Sequence, residues 1–166
     1  MPWLRRHFMI GSDDHLRALG LLTVDFGAAD EALAEYISSL SAIAIAETPP
    51  DLEERLQDWN FSAKVKVLRT FVRVVSDQYR LDASQVLRQL DAVAQMARYR
   101  NDIVHGWVRW DSTTHRPAFR NRQKPLRSAT AADIDRLCKR LESWFDGIRE
   151  AYADFLDQLQ VALRSA

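Results

Sequence analysis

Residues 82–106 read DASQVLRQLDAVAQMARYRNDIVHG. Val86, Leu90, Val93 and Ala97 recur at spacings of four and three, which places them on one apolar stripe of a helix. Asp82 with Gln85 reads as a capping box, and Gly106 supplies a C-terminal stop, so the spacing predicts a helix ending at Val104. Extended past Ala97, the stripe reaches Arg100 or Asn101 before resuming at Val104. A core stripe should not carry a guanidinium without reason, because an unpaired buried charge is costly.

Three further segments carry the same periodicity. From about Asp13 to Ala46, Leu19, Leu22, Phe26, Ala29, Leu33, Tyr36, Leu40 and Ile43 alternate in steps of three and four. Ser12 with Asp13 and Asp14 opens this helix, and Thr48-Pro49-Pro50 closes it. Gly20, Gly27, Ala28 and Ala29 thin it, as a close helix approach would require. Phe61 to Tyr79 forms the next stripe, through Val65, Leu68, Val72 and Val75. The last begins near Thr130, with Asp133 three residues on, and runs through Ile134, Leu137, Leu141, Trp144, Ile148, Tyr152, Phe155 and Leu159. Trp107-Val108-Arg109-Trp110 has extended character, and a turn-forming run follows it. The expected fold is therefore all-α: an antiparallel four- to five-helix bundle. A short extended or β-hairpin excursion lies between its last two long helices. Residues 1–12 form an N-terminal segment and 13–166 a single domain. The connections at 47–60 and 106–129 are longer than most bundle loops and are the natural carriers of function.

Composition narrows the function classes. The chain has 166 residues, with 23 basic and 23 acidic side chains and zero formal net charge, so attraction to nucleic acid must come from a local patch. Cys138 is the only cysteine, which precludes an internal disulfide and points to a reducing, cytoplasmic setting. No signal peptide and no run long enough to span a bilayer is visible, so no membrane partner is expected. His7, His15 and His115 form no metal-ligand spacing and no Gly-rich phosphate loop is present, so no metal and no cofactor is expected.

Within RNDIVHG, Asn101 and His105 lie one helical turn apart and share a face, whereas Arg100 lies about 100° around from Asn101. One straight helix cannot converge all three groups. A second copy packed across a two-fold axis would complete the set, so a homodimer is expected. Read plainly as structure, Arg100 pairs with Asp102 or with a carboxylate on another helix, and His105 caps the helix end. Arg100, Asn101, three residues and then His105, followed by Gly106-Trp107, resemble the signature of HEPN domains. These are small bundles of four or five helices, often dimeric, with an Arg-(four to six residues)-His motif near the end of a late helix. Lys64 and Lys66 are similar to the lysine of the helix that precedes this motif in uncharacterised bacterial HEPN-like proteins. The sharp part of the resemblance is seven residues; helix order extends it over 14–160.

The resemblance implies a metal-independent endoribonuclease, a toxin or defence effector held by a separate antitoxin, with Arg100, Asn101 and His105 as its catalytic residues. His105 would serve as acid or base, Arg100 would stabilise the charge on the phosphorane-like transition state, and Asn101 would orient the histidine or a phosphate oxygen. Some members of the family are instead non-catalytic modules that dimerise and bind RNA or a protein partner. The excursion suits RNA: Arg109, Arg116, Arg120, Arg122 and Lys124 are interleaved with Trp107 and Trp110, giving phosphate contacts and stacking surfaces. The other reading of that stretch is a solvated loop whose aromatics close the bundle's end.

Overall fold

A computed structural model describes residues 13–44, 51–104, 107–111, 116–120, 127–128 and 130–165. Among these, five helices form a bundle: α1 (Asp13–Ala44), α2 (Leu52–Asp58), α3 (Phe61–Tyr79), α4 (Ser84–Val104) and α5 (Ala131–Ser165). Between α4 and α5 the backbone pairs as three short antiparallel strands in the order β1 (Trp107–Asp111), β2 (Arg116–Arg120), β3 (Arg127–Ser128). Trp107 stands opposite Arg120 and Asp111 opposite Arg116, and β2 lies beside α4.

The periodic residues make the core. Leu22, Leu33, Leu40, Leu68, Val72, Leu90, Val93, Leu141, Ile148, Phe155 and Leu159 are all fully or almost fully buried. In α4 the buried stripe runs Val86, Leu90, Val93, Met96 and Ile103, while Val104 is exposed. The stripe therefore resumes at Ile103 and not at Val104, and Arg100 is the residue that interrupts it.

Local signals fix the helix ends. Thr130 and Asp133 close a reciprocal box: the Thr130 N–H donates to the Asp133 carboxylate at 2.7 Å, and the Asp133 N–H donates to the Thr130 hydroxyl at 3.2 Å. These bonds hold the Asp133 carboxyl below its ordinary range. At α4 the expected box is shifted: the helix begins at Ser84, whose N–H donates to Asp82 Oδ1 at 2.9 Å from one residue outside the cap. Helix α3 ends on Arg80 in the left-handed region (φ 55°), and its N–H donates to the Ser76 carbonyl. The turn to α4 is therefore tight. The connection 47–60, expected as a long loop, contains α2, anchored by buried Leu52 and Leu56 one turn apart.

Helix direction differs from the expected antiparallel arrangement. Helices α4 and α5 do run antiparallel: the Trp144 indole N–H donates to the Gln89 carbonyl, and the Asp82 N–H donates to Gln158. Helices α3 and α4, joined by the four residues 80–83, are likewise antiparallel. Helices α1 and α5 run parallel. Asp25 lies near Cys138 at one level, and at the next Tyr36 and Ser39 meet Tyr152, whose hydroxyl donates to the Tyr36 carbonyl at 2.7 Å. Phe26 against Phe61 and Asp30 against Lys64 give the same sense to α1 and α3. Three helices thus point one way and α4 the other, because the long connection 45–60 allows α3 to start level with the middle of α1. Gly20 and Gly27 face open space and serve no close helix approach. The close approach is at Gly147, where an added Cβ would lie 2.5 Å from Gln89 Nε2.

Two measurements check this packing. Leu141→Ala or Leu68→Ala should lower the unfolding free energy by about 2–5 kcal/mol in urea titrations, the cost of a core cavity. His15 is buried in the first turn of α1, and burial lowers its pKa from 6.5. Below that value the unfolded chain binds more protons than the folded one, so stability rises with pH through the window under 6.5 and is lost on acidification. The urea midpoint should fall between about pH 7.5 and about pH 5.5, and His15→Gln should reduce the fall. Equal slopes in the two proteins would show that His15 titrates alike in both states.

Candidate functional site

Arg100 takes the core position one turn after Met96 and three residues before Ile103, yet it remains half-buried. Its guanidinium lies 5.8 Å from the centre of the Phe26 ring on α1, and Nη1 donates to Asn101 Oδ1 at 3.0 Å. Phe26 is held in turn by Phe61, edge to face, with centroids 5.5 Å apart. The Nε–H of Arg100 is buried without a hydrogen-bond acceptor. No carboxylate pairs with Arg100 among the described residues. Among the described residues, Arg100 is held by a cation–π contact and its amide neighbour, and not by Asp102 or another described carboxylate.

Arg100 and Asn101 open onto a groove of about 610 Å³ between α1, α3 and α4, open to solvent on one side. Small residues leave the room for it: Ala94 and Ala97 on α4 and Gly27 on α1 line its walls. The α2–α3 junction also lines it, where Trp59 and Phe61 flank Asn60. Asn60 caps α3 by accepting the Ala63 N–H at 3.0 Å, which fixes the backbone between the two rings.

The groove's charge is one-sided. Lys66, Arg69, Arg98 and Arg100 line it, against Asp30. Asp30 is matched by Lys64, whose side chain is 4% exposed, at 2.5 Å. Arg69 is matched by Asp91. Lys66, Arg98 and Arg100 have no acidic partner among the described residues, so three positive charges converge on one concavity in a chain of zero net charge. Lys64 and Lys66, likened above to the lysine of the helix preceding the motif, separate by burial: the first is a buried structural cation and the second a groove residue.

The other expected site residues lie as follows. His105, Arg122 and Lys124 fall outside the described residues. Trp107, Arg109 and Trp110 lie in β1, and Arg116 and Arg120 in β2, where the structure describes the strand backbone. Arg100 and Asn101 are brought together, beside a strand that carries two of the expected basic residues. Sequence reading missed Arg69, Arg98 and Trp59 as groove residues. Their signal was weak: Ala94 and Ala97 mark a small-residue face that only a neighbouring helix could turn into a concavity. Burial, with acidic Asp25 nearby, pushes the Cys138 thiol up to about 12, which disfavours the nucleophilic thiolate. Among the described residues no three His, Cys, Asp or Glu side chains cluster as a metal site, and no helix is long and apolar enough to cross a membrane.

The wall formed by Asp30 and Lys64 can be tested. Asp30→Ala should cost about 3 kcal/mol, the low end for a broken buried pair because 34% of the Asp30 side chain stays exposed. Adding Lys64→Met should recover most of it, since no buried charge then lacks a partner. A loss under about 0.5 kcal/mol in urea for Asp30→Ala would mean that Lys64 reaches water without Asp30.

No protein-family model, no curated protein and no solved structure matches this chain.

Proposed function

We propose that this chain is a HEPN-type endoribonuclease that cleaves RNA without a metal ion and acts as a homodimer. The carrying observation is Arg100. It stands in the core stripe of α4, no carboxylate pairs with it among the described residues, and it opens with Asn101 onto a groove with two further unmatched cations. An arginine kept only for packing would end on an acid; one kept for a phosphate remains available to it.

The chemistry follows from the groups. The RNA 2′-hydroxyl loses a proton and its oxygen attacks the adjacent phosphorus. The bond from phosphorus to the 5′-oxygen breaks, and that oxygen takes up a proton. The products are a 2′,3′-cyclic phosphate and a 5′-hydroxyl. His105 has the pKa range to give or take these protons, and its two copies in a dimer would divide the roles of base and acid. Arg100 would hold the extra negative charge of the transition state through a bidentate contact, and Asn101, bonded to it, would fix its plane. Exposed Asn101 and Val104 leave the last turn of α4 accessible to a second copy. The basic excursion, carrying Arg109, Arg116, Arg120, Arg122 and Lys124, would extend the phosphate track beside α4. A protein of this kind is controlled by an antitoxin or another partner that covers the groove.

The test is incubation of purified protein with a broad RNA panel in chelator. His105→Ala should lower cleavage by about 100-fold or more, and Arg100→Ala comparably with the fold intact. Cleaved RNA should end in a cyclic phosphate, and DNA, lacking the 2′-hydroxyl, should be inert. Light scattering should show a dimer at tens of micromolar, on the order of weak self-association. Identical processing by wild type and His105→Ala, or none by either, would sink the nuclease. RNA binding without cleavage would leave a non-catalytic HEPN-like module.

A further inference from the structure

The groove is more than a patch of charge. Aromatic rings and cations both line it, and its volume of about 610 Å³ falls within the roughly 300–1,000 Å³ of small-ligand pockets. Trp59 and Phe61 are both half-buried: packed against the core on one side, they keep surface towards the groove. Their separation is set by a single capped residue, Asn60. Lys66 and Arg98 reach the same space from α3 and α4, and neither is matched by an acid among the described residues. Flat apolar faces beside unmatched cations match a planar base attached to a phosphate: the base stacks and the phosphate meets the cations. The groove is open to solvent, so a bound nucleotide need not be enclosed as a free mononucleotide would be.

We infer that this groove is a subsite for one unpaired nucleotide of single-stranded RNA, its base on Trp59 and Phe61 and its phosphate on Lys66 and Arg98, next to the phosphate at Arg100. The inference names the substrate class of the site proposed above and rests on that reading for the cleavage position alone. The groove selects single strands: in a duplex the base faces are stacked on one another and cannot reach the rings without unpairing. It binds irrespective of base identity, because every base offers a face to stack.

Gly27 offers a clean test. A Cβ there meets nothing within 4 Å and Gly27 lines the groove, so Gly27→Leu adds bulk at the groove wall and favours the helix. The probe is a fluorescein-labelled single-stranded RNA of roughly ten nucleotides with 2′-O-methyl groups, which lacks the attacking hydroxyl; a matching duplex is the control. Gly27→Leu and Trp59→Ala should each weaken binding at least about fivefold, while Trp59→Phe retains it. Lys66→Gln with Arg98→Gln should lower the slope of log affinity against log salt by about 1 to 1.5. Thermal melts check that each variant folds.

Wild-type protein that ignores the single strand, or binds the duplex equally, overturns the subsite. So does wild-type affinity in folded Gly27→Leu and Trp59→Ala. Unmodified RNA separates the two proposals. Cleavage by wild type with undiminished binding by Gly27→Leu leaves the nuclease and removes the subsite. Binding lost in both groove variants, with no cleavage by wild type, keeps the subsite and removes the nuclease.

Discussion

Parallel packing of α1 against α5 and α3 obliges the chain to travel back along the bundle between residues 44 and 61. The Tyr36–Ser39–Tyr152 cluster, with Asp25 near Cys138, holds α1 and α5 in one sense, and Phe26 against Phe61 starts α3 level with the middle of α1. From Ala44 down to the level of Phe26 is roughly 27 Å of helix. A two-residue turn cannot cover that distance, whereas the residues of 45–60 can, with α2 laid against α1 on the way. The return ends at Trp59-Asn60-Phe61, and that is how an aromatic rim comes to face the last turns of α4. Had α1 and α3 been joined as a tight antiparallel pair, no such rim would exist.

Arg100 depends on the same geometry. Its place in the stripe of α4 aims it at α1, where Phe26 supplies a ring face in place of a carboxylate. Phe26 is fixed by Phe61, so the crossover that sets the rim also supports the arginine. Carboxylates nearby are already engaged: Asp30 by Lys64 and Asp91 by Arg69. The positive charge left in the groove is thus a consequence of pairing, invisible in a net charge of zero. At short range such a local excess governs what binds, because a distant compensating charge is screened within about 10 Å at moderate salt.

Much of the architecture was legible in the chain. The stripe Ile134, Leu137, Leu141, Trp144, Ile148, Tyr152, Phe155, Leu159 is buried throughout, because a helix hides whatever recurs at three and four. The Thr130–Asp133 start was equally readable, since capping is local. The α4 start slid by one residue because Asp82 can reach the Ser84 N–H from outside the helix. Helix α2 escaped notice because seven residues with two buried leucines make too short a pattern to stand out.

The sequence by itself determined which faces of the long helices are apolar, where those helices start and stop, and that Arg100 breaks a core stripe beside Asn101. These are properties of residues within a turn or two of one another. Tertiary structure alone decided that three helices run one way and α4 the other, and that Lys64 is buried while Lys66 lines a groove. It also decided which cations remain unmatched among the described residues, and that Trp59 and Phe61 line one groove with Ala94 and Ala97. Helix sense depends on how long connections close in space, and a local charge depends on which acids come within reach. Neither can be read from periodicity, because the partners are distant in the chain.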